Sequence, residues 1–184
     1  VIKIDMFAFS GCTSLSKISI SDSCTEIGTF AFYECTSLSE ISIPDSVTEI
    51  GMSAFENCTN LSTITLPQTI THIGKNAIFN TAYYNNKDNW KLKRVVTDTD
   101  LNIGSGTQET ISWEDILAPT LQYLYLGTAL IECEYSGIYN IKRGTTVIAD
   151  YAFQKSVNAK KIQFPQSLIA IGKHAFDGCV SLEN

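Results

Sequence analysis

Six cysteines and two histidines are the residues of this 184-residue chain best suited to bind a metal, attack an electrophile or carry a proton. No CxxC pair occurs, and Cys12, Cys35, Cys58 and Cys179 occupy one recurring position rather than a ligand cluster. Cys is small and readily buried, so that column reads as packing at a bend. Cys24 stands in an apolar slot that Val47 and Ile70 fill elsewhere, which makes it core as well. His72 and His174 fall where other repeats carry Glu26 and Glu49, or Phe30, Ser53 and Asn76. Neither is a reserved base beside a nucleophile, as acyl-transfer chemistry requires. Asp98, Asp100, Glu109, Glu114 and Asp115 could offer oxygen ligands to calcium, but their spacing fits no calcium loop and they read as solvated charge. The expectation is therefore no catalysis, no cofactor and no metal.

The positions of these residues are set by a repeat. Ala8, Ala31, Ala54 and Ala77 are spaced by 23, as are Ala152 and Ala175. Phe9, Phe32, Phe55, Phe153 and Phe176 follow the alanines, with Ile78 as the substitute. Further along each unit come Leu15, Leu38, Leu61 and Leu182, then the pairs Ile18 and Ile20, Ile41 and Ile43, Ile64 and Leu66, and Ile162 and Phe164. A last apolar pair closes each unit: Cys24 with Ile27, Val47 with Ile50, Ile70 with Ile73, Leu168 with Ile171. Alternation through Glu40, Ile41, Ser42, Ile43 predicts a strand with one buried face, ended by Pro44, as Pro67 and Pro165 end its counterparts. Glu49 and Ile50 predict a second short extended piece, Gly51 a tight turn, and Ser53 to Cys58 a short helix or helical turn. One such coil cannot bury its apolar side alone; stacking coils about 4.8 Å apart places like residues over like.

The pattern IGTFAFYECTSLSEISIPDSVTEIGMSAFENCTNLSTITLP resembles the BspA-type leucine-rich repeats of surface proteins from anaerobic bacteria and some protists. The resemblance runs from Ile4 to about Phe79 and from Val147 to Leu182. It implies a right-handed solenoid with a parallel sheet, exported and displayed at the cell surface, that adheres to or binds host or matrix proteins and has no catalytic residues. The fold class expected is a repeat solenoid, leucine-rich-repeat-like and mainly β. Each 23-residue coil carries short parallel strands and short helical turns, and a non-repeating β-rich insert interrupts the series. An exported protein with this many thiols fits an anoxic habitat.

The interval from Ala77 to Ala152 is 75 residues, three periods and six, yet residues 81–144 carry no repeat. One continuous domain is expected: solenoid over 1–80, this island over 81–144, solenoid resumed over 145–184. Within the island, Leu121 to Leu126 and Ala129 to Glu132 flank Gly127 and Thr128, a hairpin spacing. Tyr135 to Ile141 adds a strand, and Ser112 caps a short helix through Ile116. The stretch YLYLGTALIECEYSGIYNIKRGTTVIADYAF resembles inserts of related bacterial proteins that continue the solenoid's sheet.

Function then rests on binding. The residues alternating with the buried pair, Lys17 and Ser19, Glu40 and Ser42, Thr63 and Thr65, Lys161 and Gln163, predict an exposed polar ladder suited to a protein or glycan ligand. Tyr83, Tyr84 and Trp90, set among polar residues of the island, form a second candidate surface; Trp113, Tyr123, Tyr125, Tyr135 and Tyr139 belong with them in type. The alternative is a passive stalk presenting another domain of the same polypeptide. A net charge of -6 and a pI near 4.8 argue against nucleic acid and anionic membrane surfaces, and no apolar run is long enough to span a bilayer. No targeting signal is present, and the chain starts and stops in mid-repeat, which predicts a piece of a longer, exported protein whose uncapped end rungs can self-associate.

Overall fold

A computed structural model describes residues 2–86, 89–93, 121–134 and 136–183. The expected helix at Ser112, the acidic residues from Asp98 to Asp115, Trp113 and Tyr135 lie outside the described residues.

The 23-residue period is the sheet register. Strands β1 (Lys3–Ile4), β2 (Glu26–Ile27), β4 (Glu49–Ile50) and β6 (His72–Ile73) form one parallel sheet in which Ile4, Ile27, Ile50 and Ile73 lie over one another. Strands β3 (Glu40–Ser42) and β5 (Thr63–Thr65) pair in the same register on a second row. Two-residue strands cannot hold alone; each survives because its neighbours repeat it and because Phe32, Phe55, Leu38 and Leu61 beneath are fully buried. Phe9, Phe32 and Phe55 stack with ring centroids 5.1 and 5.2 Å apart, and Phe153 and Phe176 repeat the stack at 5.0 Å. The ring spacing is that of the coils.

The segment from Ser53 to Cys58 is not a helix. It is a run of i→i+3 turns, such as Glu56 N to Ser53 O and Cys58 N to Phe55 O, tied to the next coil by Ser53 N to Lys75 O and Phe55 N to Ala77 O. Helical geometry fails because Ser53 and Asn57 sit at φ 54 and 63, in the left-handed region. The same two places recur as Phe30 and Glu34, then Asn76 and Asn80. Asparagine suits them, and its amides form a ladder: Asn85 donates to Asn80 and Asn80 to Asn57, each at 2.8 Å, and Asn57 donates to the Tyr33 hydroxyl at 3.2 Å.

Gly51 serves close approach rather than the tight turn expected of it. A Cβ there would sit 2.5 Å from Thr29 N and 2.7 Å from Gly28 C, all backbone of the preceding coil. Gly28, Gly74 and Gly172 meet the same barrier, so a column of glycines sets the distance between coils.

The only α-helix among the described residues is α1 (Ala82–Asn85), where Thr81 accepts the Tyr84 N–H as N-cap. Strand β7 (Trp90–Lys93) then pairs antiparallel with β8 (Leu121–Leu126), which turns through Gly127 at φ 59 into β9 (Ala129–Glu134), the expected hairpin. Strand β10 (Ser136–Asn140) follows, as the sequence suggested. The hairpin carries the solenoid onward: β9 runs parallel to β11 (Val147–Ile148), and β11 to β13 (Ala170–Ile171), while β10 pairs with β12 (Asn158–Gln163). Leu124 and Leu126 pack into the core of the first coils, and Leu130 and Cys133 into the core of the last. The insert therefore closes what would be an open end between two stacks.

Candidate functional site

Cys24, Cys35, Cys58 and Cys133 are buried in the solenoid interior and Cys12 is exposed, and in the recurring column the thiols act as hydrogen-bond donors. Cys35 Sγ donates to Phe9 O at 3.1 Å, Cys58 to Phe32 O at 3.0 Å and Cys179 to Phe153 O at 3.4 Å, each reaching back 26 residues to a phenylalanine carbonyl of the preceding coil. Thr81 and Ser156 take the same column, and Ser156 Oγ donates to Cys133 O at 2.9 Å. The column thus selects a small donor, which the packing argument from sequence had missed. All six thiols are free. Burial pushes the Cys58 thiol up to about 12 and raises those of Cys35, Cys133 and Cys179. Because the thiolate is the nucleophile, burial makes these sulfurs inert. Among the described residues no three His, Cys, Asp or Glu side chains are placed to hold a metal ion.

Among the described residues neither histidine meets a nucleophile. His72 Nε2 lies 3.6 Å from Asp150 Oδ2, and Asp150 Oδ1 accepts the Lys173 N–H at 2.6 Å. His174 stacks on Tyr151 with centroids 5.1 Å apart. Both hold neighbouring coils together.

All six strand-face candidates, Lys17, Ser19, Glu40, Ser42, Thr63 and Thr65, are exposed. Glu40 lies over Thr63 and Ser42 over Thr65, and Lys17 Nζ reaches Glu40 at 3.5 Å. Lys17 and Ser19 stand outside any strand. Lys161 and Gln163 lie on β12, whose partner is β10, so the ladder comes in two separate rows. A shallow groove of about 530 Å³ runs beside Ser42 and Thr65, edged by Asp22, Pro44, Asp45 and Pro67.

Tyr83 and Tyr84 are half-buried rather than displayed on a polar loop. The Tyr83 hydroxyl donates to Tyr125 O at 2.8 Å and that of Tyr84 to Glu132 Oε2 at 2.7 Å, so both tie α1 to the hairpin. Burial raises both phenols, and for Tyr84 the Glu132 carboxylate adds to the effect. Trp90 lies opposite Leu124 in the β7–β8 pair.

The sequence reading did not single out the cleft where the two stacks meet. Asp150 N donates to Ile73 O at 2.9 Å, joining the coils across the insert. Beside this joint opens a cavity of about 160 Å³ lined by Lys75, Asn76, Phe79, Glu132, Tyr151 and Gln154, among others. Lys75 Nζ sits 4.3 Å above the Tyr151 ring, and Glu132 is held by Tyr84 and Lys155. One signal was available: the column Met6, Thr29, Met52 turns charged as Lys75, Asp150 and Lys173, on the coils that flank the insert.

The model of the BspA type leucine-rich repeat region matches residues 1–95 and 129–184, in 6 copies. The chain belongs to the BspA-type leucine-rich repeat family. The match leaves out residues 96–128, within the island. Among solved structures, the chain is similar to a leucine-rich repeat protein from Bacteroides ovatus at 26% identity and a TM-score of 0.48, covering 99% of this chain and 34% of that one. It is also similar to the T. pallidum leucine-rich repeat protein, at 20% identity and a TM-score of 0.43 over 100% of this chain and 72% of that one. A leucine-rich cell surface protein from Faecalibacterium prausnitzii shares 18% identity with a TM-score of 0.37, over 100% of this chain and 63% of that one. This chain thus spans about a third of the Bacteroides ovatus protein. No curated protein matches it. Among the described residues no helix is long and apolar enough to cross a membrane.

Proposed function

We propose that this BspA-type segment is a non-catalytic binding or adhesion module of a cell-surface or secreted protein, with a protein or glycan as ligand. The observation that carries the reading is the strand face: Glu40, Ser42, Thr63 and Thr65 are exposed and in register, and Ser42 and Thr65 border an open groove. A flat polar array of this kind offers donors and acceptors at coil spacing, with no apolar cost for leaving them in water when no ligand is bound. The island, through Tyr83, Tyr84 and Trp90, is the second proposed surface.

The test is a glycan and matrix-protein binding screen, repeated with Glu40→Ala, Ser42→Ala, Thr63→Ala and Thr65→Ala combined. Binding that drops at least tenfold in the combined variant supports the strand face; binding unchanged in it points to the island.

A second reading is a passive spacer, and one set of bonds favours it. Many hydroxyls along the solenoid are spent on the preceding coil: Ser46 Oγ to Cys24 O at 2.6 Å, Ser167 Oγ to Thr145 O at 2.8 Å, Thr71 Oγ1 to Thr48 O at 3.2 Å. Such residues serve rigidity. A screen with no ligand above background would favour this reading.

A further inference from the structure

We propose that the cleft between the two stacks binds a single six-membered sugar ring bearing a carboxylate, such as the uronic acid unit of an acidic glycan. The proposal rests on the reading of this segment as a binding module and assigns it a site separate from the strand face.

Size comes first. The cavity of about 160 Å³ is close to the roughly 150 Å³ that accommodates one benzene-sized ring. Its walls come from separate parts of the chain: Lys75, Asn76 and Phe79 from one coil, Glu132 from the hairpin, Tyr151 and Gln154 from the coil that follows. Phe79 is 41% exposed and, with Ile131, gives an apolar patch against which the C–H face of a pyranose can lie.

The polar groups then specify the ring. Glu132 is fixed before any ligand arrives, with Tyr84 on one carboxylate oxygen and Lys155 on the other, and each oxygen keeps a lone pair for a ligand hydroxyl. The side-chain amides of Asn76 and Gln154 make no hydrogen bond among the described residues and supply further donors and acceptors. Lys75 decides the charge. Among the described residues its ammonium has no carboxylate within 4 Å; its partner is the face of Tyr151, whose other neighbour is His174. Its N–H donors are therefore open to an anion, and a ligand carboxylate offers the matching acceptor. The other acid in the wall, Asp150, is engaged by the Lys173 N–H and faces His72, away from this role.

The experiment titrates the 184-residue chain with methyl β-glucuronide and, separately, methyl β-glucoside, following backbone amide shifts by NMR. A ligand of this size binds with a Kd of about 1 mM. The expected result is saturable shifts at Lys75, Glu132 and Tyr151 with the glucuronide, at least about fivefold weaker binding of the glucoside, and loss of that preference in Lys75→Ala. Gln154→Ala, on an exposed side chain, weakens both sugars, whereas Lys3→Ala on the first coil, away from the cleft and from the strand-face candidates, changes neither. Equal binding of the two sugars, no saturable shift up to about 20 mM, or an unchanged preference in Lys75→Ala overturns the proposal. Tighter binding of N-acetyl-aspartate amide than of the glucuronide also overturns it, in favour of an acidic peptide. Strand-face variants that abolish macromolecular binding while the glucuronide still binds leave the two sites distinguishable.

Discussion

Replacing Gly51 by alanine sets two effects against each other with opposite signs. Gly51 is not in the left-handed region, so backbone entropy alone predicts that Gly51→Ala stabilises the fold by about 0.4–1 kcal/mol. Contact predicts the reverse. The added methyl would fall 2.5 Å from Thr29 N, 2.7 Å from Gly28 C and 2.9 Å from Thr29 Cα, and no flexible side-chain end is there to yield. Relief requires the two coils to separate, which weakens the neighbouring bond from Gly51 N to Ile27 O at 2.8 Å and the stack of Phe32 on Phe55. Overpacking of this kind costs about 1–3 kcal/mol, so the contact wins and the net change is a loss of about 1–2 kcal/mol. Urea unfolding followed by circular dichroism reads this as a midpoint lower by about 0.5–1 M, taking an m-value of about 2 kcal/mol/M. Gly127→Ala is the matched control: its Cβ meets nothing within 4 Å, and its cost comes from a φ of 59 alone. A midpoint for Gly51→Ala equal to or above that of the parent refutes the close-approach account.

The thiol column gives a graded series: Cys58→Ser keeps a donor to Phe32 O and costs less than about 0.5 kcal/mol, whereas Cys58→Val removes it, leaves Phe32 O with the Cys35 N–H alone and costs about 0.5–1.5 kcal/mol, both read from urea midpoints. Because burial lifts Cys58 to about 12 from an ordinary value of 9.0, the folded state keeps a proton that the unfolded state releases; stability is intact below pH 9 and falls as pH rises toward 12. Thermal midpoints between pH 8 and 10.5 therefore decline, and less steeply in Cys58→Ser. Alkylation of the native protein labels exposed Cys12 first, and denatured protein rapidly alkylated shows six thiols by mass; three disulfides would defeat that expectation. Tyr84→Phe removes the hydroxyl donated to Glu132 and lowers stability by about 0.5–1.5 kcal/mol, with no effect expected on Glu132–Lys155 contact. Exposed Ile169, Ile171 and Val180 lie on the last coil, so the 184-residue chain associates with rising concentration in sedimentation experiments, and Ile171→Asp reduces it.

The coil was legible because stacking repeats every constraint at 23 residues. Ala54, Phe55, Cys58, Leu61 and Ile64 were readable as core from one sequence, since the same letters recur in their columns. What the columns did not disclose was why each letter was chosen. Gly51 looked like a turn residue, and only the position of the neighbouring backbone shows a spacing constraint; Cys58 looked like filler, and only the carbonyl of Phe32 shows a donor. Helical turns were expected at Ser53 to Cys58 because nothing in serine and asparagine announces two left-handed residues four apart, though Asn57 and Asn80 tolerate that conformation well. The strand-face residues were read as exposed from alternation alone, and they are. Tyr83 and Tyr84 stand among polar residues in the sequence, and local composition says nothing of the hairpin, 42 and 48 residues away, to which their hydroxyls are bonded. The junction cleft escaped for the same reason, since its walls meet only in three dimensions.

Strands β7 and β8 carry one more consequence. Lys93 pairs with Leu121, so the chain leaves and re-enters the described fold at two facing residues, with 27 residues between them. The bond from Asp150 N to Ile73 O joins the coils on either side of the insert directly. What leaves the fold at Lys93 and returns at Leu121 does so at one rung of one ladder, so the register between the coil of Ile73 and the coil of Asp150 is written in bonds made outside residues 94–120.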